Sequence, residues 1–498
     1  MALNSKVLLH DIDRRDLLKV SLLAAAATMV DINAYGATNT NINLLIGRPT
    51  DKSVALSLLS SASGTALIEY GYSKTRLTSR TKSQSVTSAT PALFEISNLR
   101  ANSTFYYRVR FTSSGKLQLT DIYSATTQRK AGSSFSFTVQ GDTHPERAGK
   151  MFNADLYKVM LTNVAAQKPD FHIMLGDDFS IDPLISKGAA NKASVENIYR
   201  TQRDWLTTIG SSIPIFLVNG NHEQAASYLL DGTQTNPAVL AGSARVKYFP
   251  LPESNSVYSV DTTSVDGVGL LRDYYAWEWG DALFVTLDPY WHSKFAVDNV
   301  AGDSASDLNN SGTKKTGGKT TNGKVTNLWQ VGIGDEQYGW LKKTLEESKA
   351  KFKFVFAHHV LGTGRGAVEV STNYEWGGVD PKGVSTFQKE RPNWELPIHD
   401  LMVKNGVSIF FQGHDHIFVT QERDGLIYQS MPNPADDTFS YFNENAYLSG
   451  TKAPNSGHVR VTVSSKEAKV EYFLAARSSD KSRSNLALAH SYTVVSRA

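Results

Sequence analysis

Residues 135–144 read Phe-Ser-Phe-Thr-Val-Gln-Gly-Asp-Thr-His. An alternating apolar run breaks at a glycine, and two metal-binding side-chain types, Asp142 and His144, follow at once. This pattern predicts a β-strand whose carboxyl end delivers polar groups over a sharp turn. It recurs four times, once with Ala357 in place of the glycine. Phe171 to Leu175 leads to Gly176-Asp177-Asp178, and Ile215 to Val218 leads to Gly220-Asn221-His222-Glu223. Phe352 to Phe356 leads to Ala357-His358-His359, and Val407 to Phe411 leads to Gly413-His414-Asp415-His416. In α/β sheets ligands gather beyond the carboxyl ends of the strands. Groups spread over about 275 residues of chain can therefore meet at one place.

Outward from these strands, helix-like stretches alternate with the runs, which predicts an α/β domain over 131–498. Asp335 to Glu346 is the plainest helix, with acids in its first turn and Trp340, Leu341 and Leu345 on one face. Asp298 to Asn327 reads as a Gly/Ser/Asn-rich surface loop. Its segment 312–320 (GTKKTGGKT) imitates a phosphate-binding loop, but Gly318 stands where Lys is needed. From Gly457 the chain reads as a closing hairpin, His458 to Val463 and Lys469 to Phe473. Upstream, residues 38–130 are rich in Ser and Thr, with short runs such as Ile42, Leu44 and Ile46 and Phe105 to Val109. They predict an all-β sandwich. Leu99 to Val109 resembles the penultimate-strand region of a fibronectin III-like domain, in which a Tyr braces the corner.

The 498 residues carry 51 basic and 48 acidic side chains, a net charge of +3. That balance gives no electrostatic reason to expect nucleic acid or an anionic membrane as partner. The Cys count of 0 excludes a disulfide scaffold, a thiolate zinc site, an iron–sulfur cluster and a Cys nucleophile. No Gly-x-Ser-x-Gly elbow is present, which disfavours a serine hydrolase. Residues 1–37 predict a signal peptide. Arg14-Arg15 precedes an apolar run, Val20 to Val30, too short to span a bilayer, and small residues follow near Ala34-Tyr35-Gly36-Ala37. The arginine pair resembles the twin-arginine export signal. The expectation is a periplasmic or secreted protein handled by that export machinery, with no stable membrane insertion after cleavage.

The five strand ends offer carboxylates, an amide and imidazoles in numbers ample for two metal ions. Mixed nitrogen and oxygen donors without sulfur suit Fe, Mn, Zn or Co better than Ca or Mg. Such a pair clamps a phosphoryl group and generates hydroxide for in-line attack on phosphorus.

Asp142-x-His144, Gly176-Asp177, Gly220-Asn221-His222-Glu223, His358 and Gly413-His414-x-His416 resemble the five-motif signature of calcineurin-like metallophosphoesterases. With the preceding β region the architecture is similar to purple acid phosphatases and related exported phosphatases. The resemblance implies a two-sheet α/β sandwich flanked by helices. It implies that Asp142, His144 and His416 hold one metal, that Asn221, His358 and His414 hold the other, and that Asp177 bridges. It implies that His222 contacts phosphate and protonates the leaving oxygen. Ser180 stands where purple enzymes carry a Tyr ligand three residues after the bridging Asp, so no tyrosinate-to-iron colour is expected. The family pattern selects His358; strand alternation turns the adjacent His359 elsewhere. Asp178 is either an acceptor for a ligand His or a solvated turn residue.

Arg365, in Gly362-Thr363-Gly364-Arg365-Gly366, is a candidate to hold a phosphate oxygen bidentately; a plain surface Arg is the alternative. Tyr374, Glu375 and Trp376 are candidates for the pocket rim, and Trp291 and His292 for its neighbourhood. The substrate expected is a small-molecule phosphomonoester. A phosphodiesterase or nucleotide hydrolase on the same metal core, or a non-catalytic exported binding protein, are the alternatives.

Overall fold

The apolar runs become strands because both of their faces are buried. Phe137, Phe284, Phe354, Phe356, Ile409 and Phe411 point to one side, while Leu283, Val285, Val355 and Phe410 on the same strands point to the other. Continuous apolar strands of this kind belong in a sheet covered on both faces. The computed structural model describes residues 42–293, 328–360, 365–380 and 382–496, with the backbone alone at 315–316 and 319–320. The signal-peptide reading of 1–37 and Gly362 to Gly364 lie outside the described residues. So does the 298–327 loop, apart from the short antiparallel pair Lys315–Thr316 and Lys319–Thr320.

Two sheets face each other. One has six strands in the order Ile215–Leu217, Phe171–Met174, Phe135–Gln140, Gly457–Val463, Glu467–Leu474 and Leu488–Val495. Its first three strands are mutually parallel. The other has eight, with Ala282–Thr286, Phe352–Phe356, Ile409–Gln412 and Leu426–Ser430 running parallel at its centre. The space between them is filled with aromatic rings, Phe137 stacking on Phe171 at 5.5 Å and Phe356 on Phe411 at 4.9 Å. Helices Ala154–Gln167, Lys192–Gly210 and Pro237–Tyr248 cover the outer face of the first sheet. Gly334–Glu347 and Ile398–Lys404 cover that of the second. The expected α/β fold, two sheets flanked by helices, is the fold observed.

Two details depart from the sequence reading. The strand Gly457–Val463 does pair with Glu467–Leu474, but it also lies antiparallel to Phe135–Gln140 inside the sheet. A further strand, Leu488–Val495, forms the edge; its mostly exposed residues give no strong apolar signal.

The first β region packs two antiparallel sheets around one core. Leu44, Ile46, Leu56, Leu58 and Phe94 meet Ile68, Phe105, Tyr107, Val109 and Phe111 there. It is not self-contained. Leu45 and Leu59 sit in the core beneath the helices of the larger region. Arg203, fully buried on helix Lys192–Gly210, donates through Nε to Asn43 Oδ1 (2.7 Å) and through Nη1 to Ser57 Oγ (2.9 Å). The Tyr107 hydroxyl donates to the Ser211 carbonyl. Among the described residues no helix is long and apolar enough to cross a membrane.

Candidate metal centre

Each motif begins where its strand stops. Four of the residues expected to bind metal have left-handed backbones: His144 (φ 48), Asp177 (φ 59), His414 (φ 66) and His416 (φ 54). Such conformations cost about 1–3 kcal/mol each and persist only when the surroundings hold them. The holding groups are identifiable. Glu223, buried, accepts four backbone N–H groups. They come from Asp177 (3.0 Å) and Gly220 (2.7 Å) on one oxygen, and from Asp178 (2.8 Å) and Phe179 (3.0 Å) on the other. Asp142 accepts the His414 N–H through both oxygens at 2.8 and 2.9 Å, which ties the first motif to the fifth. The glycines are there for closeness. A Cβ on Gly413 would meet Asp142 Oδ2 at 2.7 Å, and one on Gly220 would meet Asp177 Oδ1 at 2.3 Å.

The seven expected ligands converge, all buried. Asp142, His144, Asp177 and His416 each offer an atom within 4.8 Å of one another; Asp177, His358 and His414 do the same. Asp177 belongs to both groups. Asn221 Oδ1 joins the second, 3.0 Å from His358 Nε2 and 3.1 Å from His414 Nδ1.

The chemistry of these contacts fits cations. His358 gives its Nδ1–H to the Leu175 carbonyl (2.7 Å), so Nε2 faces the site. Around Nε2 lie Asn221 Oδ1, Asp177 Oδ2 (3.1 Å), His414 Nδ1 (3.3 Å) and Asp142 Oδ1 (3.7 Å). A proton there serves one acceptor; a cation in their midst serves them all. Likewise His144 Nδ1 is engaged by Glu146 (2.8 Å), which leaves Nε2 facing His416 Nε2 at 3.1 Å and Asp177 Oδ2 at 3.5 Å. Burial pushes His144 and His414 well below the usual imidazole range, and the charges of Arg147 and Arg365, respectively, add to it. Burial also lowers His416. All three are thus neutral ligands in waiting. Burial alone would lower His358 and raise Asp177. Their mutual attraction, with Asp142 acting on His358 and His222 on Asp177, reverses both, taking His358 to about 10 and Asp177 well below its ordinary value.

His222 lies beside this centre, with Nε2 3.9 Å from Asp177 Oδ2. Its Nδ1 is hydrogen-bonded to Asp182, and its Nε2 lies 3.0 Å from Arg147 Nη2, from which it accepts when the ring is neutral. Burial opposes its charge, but Asp177 and Asp182 outweigh that and raise its pKa to about 9. Sequence reasoning missed Arg147, Glu146 and Asp182. The first two follow His144 directly, on the short turn Pro145–Arg147, so proximity to the first motif was an available signal. Asp182 lies 40 residues from His222 and carried none.

Other expectations resolve differently. Arg365 is buried, and its Nη1 donates to the His414 carbonyl and to Asp415 Oδ1 (3.3 Å). It props the fifth motif, and its burial sets aside the alternative of a plain surface Arg. Asp178 is neither solvated nor bonded to a ligand His. It is buried and accepts from Thr143 (2.7 Å) and Gln140 (3.0 Å), and burial and nearby Glu223 raise its pKa well above the carboxylate range. Ser180 is buried. His359 stacks on Tyr290 and lies 4.3 Å, ring to ring, from His414. Glu375 pairs with Arg391 (3.0 Å), Trp376 donates to the Tyr428 hydroxyl (2.9 Å), and Tyr374 packs on Trp329; these are core contacts. Trp291 belongs to the core beneath the helices, and His292 faces Asp273.

The sequence matches the model of the calcineurin-like phosphoesterase family over residues 135–418, more than half of the chain. Among solved structures the fold is similar to that of PhoD (15% identity, TM-score 0.61, 93% of this chain and 92% of that one covered). It is also similar to purple acid phosphatase PPD1 from seeds of yellow lupin, Lupinus luteus (15% identity, TM-score 0.57, 92% of this chain and 74% of that one covered). At such identities the likeness is one of fold. No curated protein matches the sequence.

Proposed function

The chain belongs to the calcineurin-like phosphoesterases, and from that membership we propose an exported phosphomonoesterase with two metal ions sharing Asp177. The observation that carries this reading is the pair of donor groups with Asp177 common to both. Asp142, His144 and His416 would hold one ion, and Asn221, His358 and His414 the other. The pair, when bound, supplies Lewis acidity at phosphorus and a water of lowered pKa.

Asp182 fixes the His222 ring through Nδ1 and leaves Nε2 toward the centre. Once Nε2 is protonated, it and Arg147 Nη2 are two donors facing each other across 3.0 Å. An anionic oxygen entering beside them accepts from both, which favours a terminal phosphate dianion. The same Nε2 proton then passes to the leaving oxygen. Export is supported by Arg14-Arg15 ahead of the apolar run Val20 to Val30.

Two measurements test the proposal. Elemental analysis of protein made through its native export route gives the metal count and the elements. Rates on p-nitrophenyl phosphate and bis-p-nitrophenyl phosphate compare monoester with diester; the monoester is expected to turn over faster. A faster diester reassigns the substrate, and two bound metals with no turnover of either make the protein a binding protein.

A further inference from the structure

A separate group of ligand types lies at the edge of the eight-stranded sheet. Asp261 follows the edge strand Tyr258–Val260, and Asp273 precedes the neighbouring strand Tyr275–Trp279. His292 follows the next strand, Ala282–Thr286, by a short turn. Each offers an atom within 4.8 Å of the other two. Asp261 and Asp273 are 2% and 0% exposed.

Their oxygens divide into used and unused. Asp261 Oδ1 accepts from Thr263 N (2.8 Å); Asp273 Oδ1 accepts from Tyr274 N (2.9 Å) and faces His292 Nε2 (3.3 Å). The Oδ2 atoms of both are buried and have no close hydrogen-bond donor; the Asp261 carboxyl group lies against Asp273 and the Tyr274 hydroxyl. Nearby Arg245 does not supply the missing donors. Its Nη1 goes to the Leu271 and Arg272 carbonyls and its Nη2 to the Leu217 carbonyl. A third buried carboxyl group, Asp288, is hydrogen-bonded to Asp273. Carboxylates packed this way persist only if a proton or a cation lies between them. A shared proton joins only the two carboxylates, with His292 Nε2 facing Asp273 Oδ1 from outside; a cation in their midst engages all three. Two carboxylates and an imidazole are the donor set of a divalent ion such as Mn2+ or Zn2+. The partly exposed His292 gives that ion a way in.

We propose that Asp261, Asp273 and His292 form a third metal site, separate from the dinuclear centre and structural in role. Its ion pins two neighbouring strands of the sheet to the turn after a third. It also steadies Asp288, whose Oδ2 accepts from Asn219 immediately before Gly220-Asn221.

The test is metal stoichiometry of the full chain after dialysis against Mn2+ or, separately, Zn2+, followed by desalting. Wild type is expected to retain three equivalents, and the double variant Asp261→Asn/Asp273→Asn two. The Asp177→Ala variant, stripped of the dinuclear pair, should keep one. The wild type should also lose thermal stability when that last equivalent is chelated. If the double variant fails to fold, His292→Gln, at the rim, gives the same count. A variant that retains as many equivalents as the wild type overturns the site and leaves a proton shared between carboxylates. Because the third equivalent is counted in Asp177→Ala as well, its absence is distinguishable from a failure of the dinuclear reading.

Discussion

The same five strands carry the driest and the most highly charged parts of the molecule. Along their bodies, Phe137 touches Phe171, Phe284, Phe354, Phe356 and Phe411 ring to ring. A few residues further, the chain holds Asp142, Asp177 and five imidazoles in and beside one buried cluster, four of its residues in left-handed conformations. The contrast separates two tasks. Each buried ring contributes about 1.5–3 kcal/mol by leaving water, with roughly 0.5–1.5 kcal/mol more per aromatic pair. The strand ends draw on that stability to keep like-charged and lone-pair groups facing one another. Side chains at the ends therefore serve chemistry at a cost to folding, and those along the bodies serve folding alone.

If the division is real, changes at the ends abolish activity without unfolding the metal-free protein. Asp177→Asn is the most severe. It removes the carboxylate common to both groups, so both metals and all turnover of p-nitrophenyl phosphate should be lost. The metal-free protein should stay folded with a modestly lower melting temperature, because buried His358 and His222 lose the carboxylate that attracts their charge. A fall as large as that of a strand-body variant would break the comparison.

His222→Ala comes next, with a loss of about 10²–10⁴-fold on a poor leaving group. A good leaving group should be affected less, because it needs no proton. In the metal-free protein the His222 pKa of about 9 lies above the unfolded value of about 6.5. Its contribution to stability is therefore full below pH 6.5 and fades as the pH rises through 9. Denaturant titration of wild type and His222→Ala across that window should show the two converging on the alkaline side. Phe137→Ala, on a strand body, should do the opposite of Asp177→Asn. It should cost about 3–5 kcal/mol of stability in denaturant titrations, with metal stoichiometry unchanged in the protein that remains folded.

The two tasks also differ in how visible they are in the sequence. Strand bodies announce themselves as apolar runs, and strand ends as Gly, or Ala357 in one case, followed by Asp, Asn or His. Hence the α/β fold and the convergence of Asp142, Asp177, Asn221, His358, His414 and His416 were legible. What supports the ends was not. Arg147 and Asp182 meet His222 across 75 and 40 residues, and Arg203 reaches Asn43 across 160. Nothing in local pattern encodes such pairings. Arg365 was visible as a basic residue near the fourth motif, but its partner, the His414 carbonyl, is a backbone atom that composition cannot reveal. The place of Gly457–Val463 next to Phe135–Gln140 was hidden in the same way, because periodicity gives a strand and not its neighbour.

Glu223 sits on the boundary between the two tasks and gives the finest test of it. Sequence marks it only as the last letter of Gly-Asn-His-Glu, but its carboxylate binds four backbone N–H groups. Burial and the charge of Asp177 raise its pKa to about 7 against the opposing pull of His358. Glu223→Gln keeps the volume but turns one acceptor oxygen into a donor. Either the pair from Asp178 and Phe179 or the pair from Asp177 and Gly220 then faces an N–H. Leaving buried donors unsatisfied costs about 1–3 kcal/mol. The left-handed turn at Asp177 should relax, and metal affinity should fall by roughly 10–100-fold, the range for groups that orient ligands. Saturating metal should restore most of the turnover, as it cannot in Asp177→Asn. A loss that excess metal does not rescue would place Glu223 in the chemistry itself and move the boundary one residue deeper into the motif.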